Sequence, residues 1–136
     1  MADETTLMVE TNLPVMFKCA DGTGIAKGAI LKLTESMTAI ITSAQGDMVA
    51  GIAAAEKIAN DGKVTIPVYM EGIFKGIGGA TVAIGAALMM DATSNRLETA
   101  AGKSGAAIVG YALEAPSADG QTFLFRLNPG AGGAIA

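Results

Sequence analysis

Lys63-Val64-Thr65-Ile66-Pro67-Val68-Tyr69-Met70 decides the fold class. Val64, Ile66, Val68 and Met70 fall on one face of an extended chain, because successive strand side chains point to opposite sides. Near the end of the chain, Phe123, Phe125 and Leu127 repeat the pattern, with Arg126 on the other face. Both stretches read as half-buried strands. Pro67 has no N–H to give to a ladder, which predicts an edge strand or a bulge there.

Working outward from this strand, the chain compares with itself. Lys27-Gly28-Ala29-Ile30-Leu31-Lys32-Leu33-Thr34 aligns with Ile84-Gly85-Ala86-Ala87-Leu88-Met89-Met90-Asp91 at an offset of 57. Val49-Ala50-Gly51-Ile52-Ala53 aligns with Ile108-Val109-Gly110-Tyr111-Ala112 at 59, and Asp61-Gly62 with Asp119-Gly120 at 58. On the same reading Val64, Ile66 and Val68 match Phe123, Phe125 and Leu127 at 59. The order is kept throughout, so two related units of about 58 residues are expected, near residues 24–75 and 81–128.

The repeat also arbitrates an ambiguous segment. Ala53-Ala54-Ala55-Glu56-Lys57 favours a helix by intrinsic propensity. In the second unit Pro116 follows Glu114 closely, and a residue before proline avoids helical conformation. If the units share a fold, both segments are strand then loop, with a short helix at 50–58 as the competing reading.

The other apolar runs are short: Ala29–Thr34, Thr38–Thr42, Val49–Lys57, Ala86–Asp91, Ala106–Glu114 and Thr122–Leu127. Between them lie turn clusters, including Asp21-Gly22-Thr23-Gly24, Asn60-Asp61-Gly62 and Gly76–Gly79. The expected fold is an all-β small barrel or sandwich of short strands. Residues 1–16 read as an extended N-terminal arm. Leu7, Val9, Leu13 and Val15 share its apolar face, and Pro14 holds Leu13 extended. These four are the candidate contacts with a partner or a neighbouring subunit. Residues 17–129 form the β-rich domain, and Gly130–Ala136 a flexible Gly/Ala tail.

Composition removes several functions. Of 136 residues, 51% are hydrophobic and 4% aromatic, with a mean hydropathy of +0.46. The longest uncharged run, Gly76 to Met90, carries four glycines and falls short of the roughly 20 apolar residues of a spanning helix. Met1-Ala2-Asp3-Glu4 lacks the basic start of a signal peptide. A core this poor in large side chains makes extra burial between subunits plausible. The net charge of −4, with scattered Lys and Arg, gives no footprint for nucleic acid. Histidine is absent, so the commonest general base and metal ligand are missing. Cys19 stands alone and reads as a small buried hydrophobe, without disulfide or zinc partner. Most of the eight methionines read as core filler.

No constellation points to catalysis, a cofactor or a metal. Ala101-Gly102-Lys103-Ser104 holds the end of a phosphate-loop pattern, but Leu97 stands where its first glycine belongs. Glu56, Asp61, Glu71, Asp91, Glu98, Glu114 and Asp119 read as solvated strand ends and turns. Lys75 follows a strand, as the modified lysine of lipoyl or biotinyl carriers does. Its flanks, Phe74 and Gly76-Ile77, do not fit the carrier hairpin, so a small β-barrel ligand-binding or carrier module is the alternative reading.

The ordered runs Gly24–Leu31, Ala50-Gly51-Ile52-Ala53, Val64–Val68 and Glu71–Phe74 resemble the capsid decoration, or cement, proteins of tailed bacteriophages. So do Ile84–Leu88, Val109–Glu114 and Phe125-Arg126-Leu127. The resemblance spans roughly residues 13–129 and lies in the order of the runs rather than in any one. It implies a non-enzymatic virion protein on the outer surface of the assembled head, made in the host cytoplasm. It implies the major capsid protein as partner, together with further copies of the chain in trimers or other small clusters. Neither nucleic acid nor membrane is among the partners it implies. Deleting residues 2–13 is then expected to abolish capsid binding and spare the fold.

Overall fold

The structure is a computed structural model and describes residues 3–93, 95–100 and 107–129. Among these residues the secondary structure is entirely β. The strands are β1 Thr6–Val9, β2 Val15–Lys18, β3 Ile30–Glu35, β4 Thr38–Ile41, β5 Val49–Ala53 and β6 Thr65–Tyr69. They continue with β7 Gly72–Gly78, β8 Ala87–Met90, β9 Arg96–Thr99, β10 Gly110–Ala112 and β11 Thr122–Leu127. The segment after Val49 is strand followed by loop, and no helix forms at 50–58.

The strands make two small barrels. The first closes in the order β2-β4-β3-β5-β6. The second runs β7-β11-β10-β8-β9 and returns to β7 through a β7–β9 pairing, with β1 added on the outside of β7. Replacing each strand of the first barrel by the one five places later reproduces the pairings of the second. Even the parallel contacts correspond: Lys18 with Thr38 in one, Ile77 with Arg96 in the other. The chain is therefore all-β and built as two related barrels.

Ladder registers fix the residue equivalence once the turns are matched: the Gly28 N–H donates to the Ala53 carbonyl as the Gly85 N–H donates to that of Ala112. Leu31 pairs with Gly51 as Leu88 pairs with Gly110. Phe17 pairs with Ile66 as Gly76 pairs with Phe123. The last strands are thus offset by 57, which sets Ile66 and Val68 against Phe123 and Phe125, where sequence comparison alone favoured 59. Small-residue alternation cannot distinguish a shift of two, because it keeps every side chain on its face. Gly51 and Gly110 support the equivalence independently. A Cβ on Gly51 would strike the Tyr69 carbonyl oxygen, and one on Gly110 would strike that of Arg126, which is Tyr69 moved by the same 57.

Three local expectations change. Pro67 is not at an edge, since β6 lies between β2 and β5 in a closed barrel. It is tolerated because β5 has ended there; its carbonyl accepts the Ala54 N–H at 2.9 Å, and no N–H is needed. Gly76–Gly79 is not a turn. Strand β7 runs through Gly78 because the Phe125 ring fills the space beside Gly76 that a side chain would occupy. Strand β9 has only Leu97 as an apolar residue, too short a pattern to read from sequence.

Each barrel has its own interior. Phe17, Cys19, Ile25, Leu31, Ile66 and Val68 fill the first. Val82, Leu88, Leu97, Phe123 and Phe125 fill the second, joined by Ile30, Val49 and Ile52 from the outer face of the first. The barrels therefore meet through apolar contact. Asn95 reinforces the seam: its buried side-chain oxygen accepts the Ile30 N–H at 2.8 Å. Gly46 N–H donates across it to the Met90 carbonyl at 3.0 Å. The N-terminal segment bolts both barrels together. Strand β1 pairs with β7 from Thr6 to Val9, while Thr5 donates its N–H and hydroxyl to the Gly28 carbonyl of the first barrel. Arg96 holds Asp3 at 2.8 Å and Asp119 at 2.7 Å.

Candidate interaction surface

The four candidate contacts separate. Leu7 is half-buried and packs against the second barrel's core. Val9 ends β1, opposite Ile73, with half its surface open. Leu13 is 75% exposed in the linker between β1 and β2, and Val15 is 40% exposed at the start of β2. Leu13 and Val15 come together with Met70, Glu71, Asn12, Asn128 and Pro129 around a shallow groove of about 240 Å³. Tyr69, the residue before Met70, packs edge-on against Phe74 instead. Burial, and then a hydrogen bond to Glu10, pushes its phenol above its usual range.

The sequence reading missed the methionines here. Met8, Met16, Met37, Met48 and Met70 are each at least 42% exposed, and only Met89 and Met90 are buried among the described ones. Most are thus surface residues rather than core filler. Leu33 and Ile84 are exposed too. Nothing in the local sequence distinguished Met89 and Met90, which are buried, from the exposed ones.

The polar groups do structural work. Cys19 is buried in the first barrel, and burial raises its thiol pKa. Lys57 is also buried. Its ammonium reaches the Asp21 carboxylate at 3.0 Å, the Asp61 carboxylate at 2.7 Å, and the carbonyls of Asp21 and Ile58. Burial alone would lower its pKa, but the hydrogen bonds and charges of Asp61 and Asp21 outweigh it, and the net shift is upward. Asp61 is held below its ordinary value, chiefly by the bond to Lys57. Asp91 meets Glu98; burial pushes its pKa up, yet hydrogen bonds to Glu98 and Thr93 prevail and hold it down. Lys75 lies within β7, paired with Thr6 and Leu124, rather than at a hairpin tip. Among the described residues, no group of three or more His, Cys, Asp and Glu could hold a metal ion. Ala101–Ser104 and Gly130–Ala136 lie outside the described residues.

The described residues are thus all-β, with exposed apolar side chains beside polar ones on the candidate surface. Residues 62–127, just under half of the chain, match the model of the phage cement protein family. Among solved structures, the chain shares the fold of the head fiber gp8.5 N base of bacteriophage phi29. The identity is 12%, the TM-score 0.56, and the match covers 85% of this chain and 92% of that one. No curated protein matches. The chain is similar to the phage capsid decoration, or cement, proteins, as its sequence runs indicated, and the matches support a structural protein of the phage head.

Proposed function

We propose that this protein binds the outer surface of the assembled phage head and stabilises the capsid by bridging major capsid proteins, without catalysis. The match of residues 62–127 to phage cement proteins carries this reading. Exposed Leu13 and Val15, gathered with Met70 around one groove, support it, since exposed apolar surface marks contact sites. Many modest contacts repeated over a shell add up to strong attachment.

The test is to mix purified protein with expanded empty heads, sediment them, and image the pellet. Stoichiometric outer density and a raised dissociation temperature are expected. Heads that sediment without the protein would overturn the reading. Leu13→Asp with Val15→Asp maps the surface better than deleting residues 2–13, because Thr5 and Leu7 pack against the chain's own barrels. The double variant should fold normally and lose head binding by about tenfold or more, corresponding to about 1.4 kcal/mol.

A further inference from the structure

A cleft separates β1 from the first barrel. Its volume is about 420 Å³, the size of a small-ligand site, and it lies where the two barrels meet. Leu7, Ala53, Tyr69 and Phe74 line its apolar part, with the Tyr69 ring edge-on to Phe74 at 5.8 Å between centroids. Strand β1 bounds the cleft as a strap pinned at both ends. At one end the Thr5 N–H and hydroxyl hold the Gly28 carbonyl, and at the other Glu10 bonds the Tyr69 phenol.

A free backbone donor faces this cleft. Gly78 donates its N–H to the Gln121 carbonyl on the β11 side, and the β7–β11 register is unbroken. Alternate residues of β7 therefore face β11, and Lys75, between them, faces β1. Thr6 is the partner of Lys75 and takes those bonds. Leu7 thus turns its N–H and carbonyl away from β7, to the side on which the Thr5 N–H reaches Gly28. Outside the β7 ladder, no backbone bond to Leu7 forms among the described residues. Chain direction puts the Leu7 N–H toward the Gly28 end of the cleft and its carbonyl toward the Glu10 end.

Lys27 lines the cleft at the Gly28 end. It is exposed and makes no ion pair or side-chain hydrogen bond among the described residues. The matching turn of the second barrel carries Ile84 in its place, 74% exposed, so the turn itself requires no cation there.

We propose that this cleft binds a small carboxylate with an apolar body. The head sits between the Lys27 ammonium and the Leu7 N–H, and the body lies over Leu7 and Tyr69. Two donors of this kind, one of them charged, hold a carboxylate more strongly than neutral bonds do. Charge also sets the orientation, because Glu10 at the opposite end repels the head. The site is separate from head attachment, and its test needs no heads.

The full chain, isotope-labelled, is titrated with naphthoate and followed by amide NMR. Saturable shifts centred on Thr6, Leu7 and Gly28 are expected, with the Leu7 amide proton moving downfield. Naphthamide, of nearly the same shape but uncharged, should bind about tenfold more weakly, and Lys27→Gln should weaken naphthoate binding by about the same factor. Lys27→Gln should leave the remaining amide spectrum unchanged, since the side chain holds nothing within the chain. No saturable shift at these amides up to the solubility limit overturns the proposal. So does equal naphthoate affinity in Lys27→Gln, or a set of shifts centred on Leu13, Val15 and Met70 instead.

Discussion

The two barrels close in the same strand order, and comparing what fills them shows how one topology accepts different sequences. In the first, Phe17 of β2 faces Ile66 of β6 across the ladder. In the second, Gly76 faces Phe123, and the Phe125 ring occupies the space vacated beside the glycine. The aromatic bulk has moved from the first strand to the last. Close packing tolerates such an exchange when total volume is kept. The loops differ more. Ile25 donates its N–H to the Lys57 carbonyl in the first barrel, and Val82 donates to that of Pro116 in the second. One loop is then fastened by a buried ammonium between two carboxylates, and the other by a buried proline ring. Backbone geometry is shared where carbonyls approach closely, and chemistry is free where only space must be filled.

The comparison can be broken most sharply at its paired glycines. Gly51→Ala and Gly110→Ala should each cost roughly 4 kcal/mol or more, because each new methyl meets a backbone carbonyl. Urea titration followed by circular dichroism measures both; a mild effect at one site only would dissolve the equivalence. Next in size, Phe74→Ala should cost about 3–5 kcal/mol, while Val15→Ala at the matching exposed position should stay within about 0.5 kcal/mol. Asn95→Ala leaves the buried Ile30 N–H without its acceptor and should cost about 1–3 kcal/mol. Met37→Asn puts a residue suited to left-handed backbone in the strained tip and should stabilise the monomer by up to about 1 kcal/mol.

The smallest effect distinguishes the two loops by pH. Asp61 is held below its unfolded value of 3.8, so its contribution is present above that pH and fades as pH falls through the lower folded value. Lys57 is held above 10.5, so its contribution is complete below that pH and is lost as pH rises through the higher folded value. The contribution of this Lys57–Asp61 pair should therefore be flat between these limits and fall beyond both. Lys57→Met should shallow the acid and alkaline limbs in thermal melts recorded across pH; unchanged limbs would detach the cluster from the pH response.

Much of this was legible in the residues. The period-two run at Val64–Met70 and the ordered repeat gave the fold class and the resolution of the Ala53–Lys57 ambiguity. What stayed hidden was of two kinds. Strand β9 and the full length of β7 depend on partners: Gly76 looks like a turn residue until Phe125 is placed beside it. The candidate surface depends on difference between equivalent sites. Leu33 and Met90 are alike in sequence terms, and only the assembled barrels show that one is bare and the other enclosed. Leu13 and Val15 were readable as an apolar face, but Leu7 on the same face packs inward.

The bolt formed by β1 also governs the order in which the molecule can be completed. Thr6 pairs with Lys75, so β1 must wait for a partner made after the whole first barrel. Closure of each barrel likewise joins its first and third strands in parallel, a non-local step that slows folding. Until β7 emerges, the nascent chain carries Leu7 without the core that receives it, together with an unpaired strand edge. A chain truncated before residue 72 would therefore leave β1 without its ladder partner.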